Sequence, residues 1–183
     1  MRDRDIEVAN FINNIQCNSD TISAIFFPSR TVANRRLAYL FNYGYVDRTR
    51  DHACEPYFYF KKGIKPTKQR QHSDLIARAY FWILCMGYNI IEYYVQKKDN
   101  DIIPDLICRI EDNNKQSLIA IEIDIANNNI EKTIGKYEYQ NQFSKVVIFT
   151  KKTNITANNK LIIFVNLNDL YDLKELKKLI KQK

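Results

Sequence analysis

The sequence has few of the residues that mark several common classes of protein. It contains only four glycines, and none of them forms the Gly-rich loop that binds nucleotide phosphates. Its four cysteines have no close pairing of the kind found in zinc sites, and the Ser-His-Asp order of acyl-transfer enzymes does not occur. No stretch approaches the roughly 20 apolar residues of a membrane span, and the N-terminus lacks the apolar core of a secretory signal. We therefore expect a cytoplasmic protein with no membrane partner.

What the sequence does contain is ample apolar material and an excess of positive charge. Of its 183 residues, 45% are hydrophobic, which is enough for one sizeable core or two small ones. The net charge of +7 is unevenly distributed, at +5 for residues 1–70, −3 for residues 71–150 and +5 for residues 151–183. Two basic flanks around an acidic middle suit a polyanionic partner, although a solvated surface would give similar values.

The first seventy residues predict three short helices with tight joins. Ile6, Ile12 and Ile15 belong to a helical apolar stripe, Asn18 can cap a second helix, and Ser29 can cap a third. Gly44 is suited to end the third helix. This pattern is typical of a helix-turn-helix.

The third predicted helix carries polar residues opposite its apolar face. Arg and Asn side chains can make paired hydrogen bonds to base edges in the major groove. Residues 45–50 and 57–61 then read as two strands joined by a turn, which would form a wing beside the helix. The alternative is an ordinary solvated helix face. The candidate DNA-binding residues are Arg30, Thr31, Asn34, Arg35, Tyr39, Arg48 and Arg50.

The rest of the chain predicts a β-rich domain. Residues 61–70 are basic and contain Gly63 and Pro66, so we interpret them as a linker between domains at 1–64 and 65–183. A helix over 73–86 precedes three strands, a crossover helix, two further strands and a final amphipathic helix. The predicted strands cover 88–95, 103–110, 118–125, 145–150 and 161–165. That order indicates a restriction-endonuclease-like mixed sheet flanked by helices, so the fold class is α+β or α/β.

Carboxylates occur at the ends of two of these predicted strands. Asp105 begins one strand, while Glu122 and Asp124 end the next. Carboxylates on adjacent strands can bind a divalent metal against a phosphodiester. Alternatively, the aspartates bond to turns and Glu122 pairs with a basic residue such as Arg109. Because Glu122 lies among isoleucines, an unpaired charge there would be costly, which favours metal binding.

The order of several motifs resembles the plasmid replication-relaxation family, whose members begin with a winged helix. The motifs are Ser29-Arg-Thr-Val-Ala-Asn-Arg-Arg-Leu37, Gly44-Tyr-Val46, Tyr57-Phe-Tyr-Phe-Lys-Lys-Gly63, Pro104-Asp105, Ile119-Ala-Ile-Glu122-Ile-Asp124 and Gly135-Lys136-Tyr137. Together they span most of the chain. The resemblance implies a PD-(D/E)xK nuclease-like second domain that binds Mg²⁺ or Mn²⁺ through Asp105, Glu122 and Asp124.

The resemblance also identifies a departure from the nuclease pattern. The lysine expected two residues after Glu122 is replaced by Asp124, which cannot supply a positive charge. Some relatives use a lysine from the following helix, so Lys132 and Lys136 are candidates. At about 100° per residue they lie roughly 200° and 240° around from Ile130, which favours solvated side chains. Lys136 stays a catalytic candidate because it also matches the family's Lys-Tyr element.

Two functions follow as expectations. In one, the protein binds double-stranded DNA of a plasmid or mobile element during replication, relaxation or mobilisation, and nicks it in a metal-dependent way. In the other, the second domain is a catalytically inactive scaffold or dimerisation body of a sequence-specific DNA-binding factor. A homodimer and replication or mobilisation proteins are the expected protein partners.

Overall fold

The computed structural model describes residues 2–98, 102–112, 115–126 and 130–181, and it is a mixed α+β protein with two sheets. The chain divides into two compact units, Met1–Phe81 and Trp82–Lys183. The domain boundary predicted from the sequence lies after residue 64, whereas the first unit extends to Phe81. Residues 65–81 were therefore predicted in the second domain and lie in the first unit. That domain prediction stays a prediction.

The first unit contains a three-stranded antiparallel sheet and the helices that pack on it. Its strands lie in the order β1-β3-β2. The elements are α1 (Asp3–Asn14), β1 (Cys17–Asn18), α2 (Ser19–Phe26), α3 (Arg30–Asn42), β2 (Val46–Thr49), β3 (Phe58–Lys61) and α4 (Arg70–Cys85), which ends in the second unit.

The predicted caps of α2 and α3 and the predicted end of α3 at Gly44 are confirmed, whereas α4 begins at Arg70 rather than at residue 73. The Asn18 side chain accepts a hydrogen bond from the Thr21 N–H at 2.9 Å and caps α2. The Ser29 hydroxyl accepts one from the Val32 N–H at 3.4 Å and caps α3. Gly44 follows α3 with a φ of +73°, in the left-handed region where glycine has no steric penalty. The two-residue strand β1 was not predicted.

The polar segment that was interpreted as a linker has specific contacts within the first unit. The Thr67 N–H donates to the Gln16 side-chain oxygen at 2.8 Å, and the Ser73 hydroxyl donates to the Gln16 carbonyl at 2.6 Å. Asp74 accepts hydrogen bonds from the backbone and side chain of Asn18, the residue that caps α2. These long-range bonds join the start of α4 to the β1–α2 junction.

The second unit contains a five-stranded mixed sheet in the order β4-β5-β6-β7-β8. The first three strands are antiparallel, while β6–β7 and β7–β8 are parallel pairs, and the crossover helix α5 lies between β6 and β7 in sequence. The bounds are β4 (Asn89–Val95), β5 (Leu106–Asp112), β6 (Lys115–Asp124), α5 (Ile130–Tyr137), β7 (Lys145–Thr150), β8 (Ile162–Asn166), a 3-10 helix (Leu167–Leu170) and α6 (Leu173–Lys181).

The predicted strands, crossover helix and final helix of this unit are confirmed, with strand ends shifted by a few residues. Ile107, Ala120 and Ile148 from the central strands pack with Ile130 and Tyr137 of α5 in one buried cluster. Because β6 and β7 lie in the middle of the sheet, they are apolar over continuous runs rather than alternating. Among the described helices, none has the length and apolar content needed to cross a membrane.

Candidate functional site

The antiparallel pairing of β5 and β6 brings two of the predicted carboxylates together. Leu106 lies opposite Ile121, so continuing this register by one residue places Asp105 beside Glu122. Asp124 lies two residues beyond Glu122 and therefore on the same face of the strand. All three carboxylates thus occupy one end and one face of the sheet.

Glu122 is almost completely buried, with 7% of its surface exposed. The Tyr137 hydroxyl donates a hydrogen bond to its Oε1 at 2.7 Å, and the Lys136 ammonium donates to the same oxygen at 3.2 Å. Burial raises the pKa of Glu122, and the negative charge of Asp105 raises it further, while Tyr137 and Lys136 partly oppose this rise. The carboxylate is therefore costly to ionise even with two hydrogen-bond donors.

The two donors come from the end of the crossover helix α5. Tyr137 is seven residues, or about two turns, after Ile130, so it lies on the buried apolar stripe. Burial and the neighbouring Glu122 carboxylate raise the pKa of its hydroxyl, which remains a hydrogen-bond donor. The sequence analysis placed Tyr137 in the Lys-Tyr element of the family resemblance, but it did not predict a contact with Glu122. Its position one residue after Lys136 and on the apolar stripe was the available signal.

Lys136 corrects the expectation drawn from its angular position. The angle around α5 favoured a solvated lysine, yet its ammonium forms an ion pair with Glu122. The Lys136 side chain is 37% exposed. A lysine has a long flexible stem, which allows its charged end to reach a group well away from the direction of its Cα–Cβ bond.

The two aspartates make different contacts. Asp105 Oδ2 accepts a hydrogen bond from the backbone N–H of Ile123 at 2.8 Å, across the β5–β6 pair. Asp124 Oδ2 accepts one from the Thr150 hydroxyl at 3.2 Å, on the neighbouring strand β7. Arg109, the alternative partner for Glu122, instead forms an ion pair with Glu92.

The donor set fits a magnesium ion held by two protein carboxylates better than one held by three. Across the described part of the chain, no three His, Cys, Asp or Glu side chains are grouped closely enough to hold a metal ion together. Mg²⁺ commonly uses one or two carboxylates and keeps several waters. Asp105 and Glu122 meet that requirement, and Asp124 does not complete a group of three with them.

A second candidate site lies on α3 and the β2–β3 hairpin. Arg30, Thr31, Asn34 and Arg35 are all exposed, as the sequence predicted for a binding face. Tyr39 is half-buried, and its ring is tilted by 35° against that of Tyr43 with centroids 4.4 Å apart. The face is therefore cationic over its first turns and aromatic at its end.

Arg48 and Arg50, both predicted to contact DNA, differ in their surroundings. The Arg48 guanidinium lies over the rings of Phe41 and Tyr57, at 4.3 and 4.1 Å from their centroids. Arg50 is exposed, lies 4.6 Å from the Tyr57 centroid, and donates a hydrogen bond to the Ala53 carbonyl at 3.0 Å. Arg48 is thus enclosed by rings, whereas Arg50 faces solvent.

The neighbouring Arg36 has a different environment from the exposed arginines of α3. Its guanidinium forms a two-point ion pair with Asp5 of α1, including an Nε to Oδ1 hydrogen bond of 2.9 Å. Burial would raise the pKa of Asp5, but hydrogen bonds from Arg36 and from the Arg2 backbone hold it below its ordinary value. Sequence periodicity gave no signal for this pair, because its members are 31 residues apart.

No protein-family model matches this chain, and no curated protein matches it either.

Proposed function

We propose that this protein binds double-stranded DNA through its first unit. The observation that supports the proposal most is the order α1, β1, α2, α3, β2, β3 with a β1-β3-β2 sheet, an order typical of winged-helix proteins. In such proteins the third helix enters the major groove. Exposed Arg35 and Asn34 suit base edges, while Arg30 and Thr31 at the start of α3 suit phosphates.

The proposed setting is a plasmid or another mobile element. The order of motifs that resembles the replication-relaxation family supports a role in replication, relaxation or mobilisation. A second copy of this chain and other replication or mobilisation proteins are the proposed partners besides DNA.

A mobility-shift titration tests the DNA-binding proposal. Full-length protein is titrated against plasmid-origin DNA and a shuffled duplex, alongside Arg35→Ala. If Arg35 contacts a base, the variant should lose about 1 to 3 kcal/mol of specific affinity. Lys68→Ala removes an equal charge from an exposed position outside α3 and the hairpin, and should change binding less. Equal affinity of the parent for both duplexes would contradict sequence-specific binding.

The second unit supports a second candidate function, metal-dependent DNA nicking. Its specific support is Lys136, whose ammonium lies 3.2 Å from Glu122 Oε1. The β5–β6 register places Asp105 beside Glu122. Two carboxylates and a lysine are the chemical groups of a PD-(D/E)xK site, with the lysine coming from the crossover helix. A Mg²⁺ ion bound by Asp105 and Glu122 would polarise a phosphodiester oxygen and acidify water. Lys136 would stabilise developing negative charge.

Two measurements test the metal site, one of which does not depend on activity. If Mg²⁺ binds, a concentration of ten times its dissociation constant should stabilise the parent by about 1.4 kcal/mol in thermal unfolding. Glu122→Gln should lose this stabilisation, whereas Glu131→Gln, at a position whose side chain is 83% exposed, should keep it. Relaxation of supercoiled origin DNA by the parent with Mg²⁺ or Mn²⁺, but not by Glu122→Gln, supports nicking.

The alternative is a second unit without catalysis, which serves as a scaffold or dimerisation body. Its support is that Tyr137 and Lys136 already satisfy one oxygen of Glu122. DNA binding by the parent without nicking or a Mg²⁺-dependent shift favours this alternative.

A further inference from the structure

A groove of about 350 Å³ lies between α3 and the β2–β3 hairpin of the first unit. Arg30 and Asn34 line it from α3, Arg48 and Arg50 line it from the hairpin, and Tyr57 lies at its wall. The lining therefore contains three arginines. Glu55 is the acidic residue of that lining, so the groove keeps an excess of positive charge.

The three arginines are not equally available to a ligand. Arg48 is half-buried, and the rings of Phe41 and Tyr57 lie within 4.3 Å of its guanidinium carbon. One of its nitrogens also lies 3.4 Å from the Tyr59 hydroxyl. Because Phe41 belongs to α3 and Tyr57 precedes β3, Arg48 joins the helix to the hairpin through stacking.

Arg30 and Arg50 are more exposed than Arg48 and are better placed to meet an anion. Arg30 has 65% of its side chain exposed, and its Nη2 makes an ion pair with half-buried Asp20 at 3.0 Å. This pair uses one guanidinium nitrogen of Arg30. Arg50 is exposed and uses one nitrogen on the Ala53 carbonyl, and a guanidinium has five donors. Both side chains border the same groove.

We propose that this groove binds a phosphate of the DNA backbone, contacted by Arg30 and Arg50, and that Arg48 is a positioning residue that fixes the hairpin against α3. This inference rests on the proposed DNA binding. It gives the arginines predicted to contact DNA two different roles, contact with a phosphate for Arg30 and Arg50 and positioning of the hairpin for Arg48. The stacking of Arg48 on Phe41 and Tyr57 holds the hairpin against α3 and so keeps Arg30 and Arg50 at the border of one groove. A phosphate can then enter without displacing Arg48.

The salt dependence of binding separates the two roles. Each phosphate neutralised by a cationic side chain contributes about −0.9 to the slope of log affinity against log salt concentration. Loss of one contact should therefore reduce the slope by about 0.9 and weaken binding about eightfold at 0.1 M salt. A positioning residue affects affinity through geometry and leaves the number of neutralised phosphates unchanged.

The experiment measures affinity of the full chain for origin DNA from 50 to 300 mM salt. The double variant Arg30→Gln/Arg50→Gln removes both charges that contact the phosphate and should reduce the slope by about 0.9, whereas Lys65→Gln/Lys68→Gln, a charge-matched change at exposed positions outside the groove, should not. Arg48→Met should weaken binding with an unchanged slope, and Arg48→Lys should fail to restore affinity because an ammonium lacks the planar stacking surface. Far-UV circular dichroism and thermal unfolding of each variant confirm that it is folded.

Other outcomes overturn the inference in distinguishable ways. A slope that falls by about 0.9 in Arg48→Met would make Arg48 a contact. An unchanged slope in Arg30→Gln/Arg50→Gln, with parent binding intact, would remove the phosphate from the groove and leave the DNA-binding proposal standing. Failure of the parent to bind DNA would remove both. In that case calorimetry with dAMP as the probe decides whether the groove takes a free phosphate, and binding that is lost in Arg50→Gln would assign it that ligand.

Discussion

The two units place their functional charges in opposite environments. In the first unit, Arg30, Arg35 and Arg50 are exposed on α3 and the hairpin. In the second unit, Glu122 is buried and already accepts hydrogen bonds from Tyr137 and Lys136. The difference predicts that substitutions in the first site change binding and leave stability nearly constant, whereas substitutions in the second change both.

The physical basis of the difference is desolvation. An exposed arginine loses little hydration on folding, so its removal costs little until a partner is present. A buried carboxylate has lost its hydration when the chain folds and depends on the donors around it. The first unit contains its own exception, since Asp5 is buried and paired with Arg36.

The largest effect should come from that exception. Arg36→Ala leaves the Asp5 carboxylate buried without its guanidinium partner, which should destabilise the protein by about 3 kcal/mol. Urea unfolding measures the change. The adjacent Arg35→Ala removes the same charge from an exposed position and should cost less than about 0.5 kcal/mol. Equal costs for the two variants would show that exposure does not separate the arginines of α3.

An intermediate effect is expected at the buried carboxylate. Tyr137→Phe removes the hydroxyl that donates to Glu122 at 2.7 Å, and a hydrogen bond to a charged group contributes about 2 kcal/mol. Tyr139→Phe removes a hydroxyl from a residue that is 86% exposed, so it should be nearly neutral. Thermal or urea unfolding of both variants tests the contrast, and a neutral Tyr137→Phe would mean that Glu122 does not depend on this donor.

The features that sequence could predict are those with local causes. The caps at Asn18 and Ser29, the turn at Gly44 and the strands of the second unit follow from neighbouring residues. The adjacency of Asp105 and Glu122 also followed, because consecutive antiparallel strands place the start of one beside the end of the next.

The missed features depend on tertiary contacts between distant polar residues. The Asp5–Arg36 pair and the hydrogen bonds that Gln16 accepts from Thr67 and Ser73 span 31 to 57 residues of sequence. Apolar periodicity predicts which face of a helix is buried, but it contains no information on which polar partner lies across the interface. For the same reason the contact of Lys136 with Glu122 could not be derived from its angle on α5.

The smallest expected effect is a change of stability with pH, and its sign follows from the Asp5–Arg36 pair. The folded-state pKa of Asp5 lies below its ordinary value of 3.8. Its contribution is therefore complete above that value and disappears as the pH falls through the folded-state pKa. Urea unfolding of the parent and Asp5→Asn should give a stability difference that is largest at pH 6 and shrinks below about pH 4.

The control for this measurement is Asp3→Asn, which alters an exposed carboxylate on the same helix and should change stability by less than about 0.5 kcal/mol. A difference between the parent and Asp5→Asn that stays constant with pH would mean that the charge of Asp5 contributes nothing and that its shape alone matters. In that case Asp5 would act as a neutral packing group. The stability of the protein would then depend less on the charge of its buried carboxylates than their burial suggests. A shrinking difference would instead establish that the first unit uses a buried ionised carboxylate to fix a helix, whereas in the second unit burial raises the pKa of Glu122.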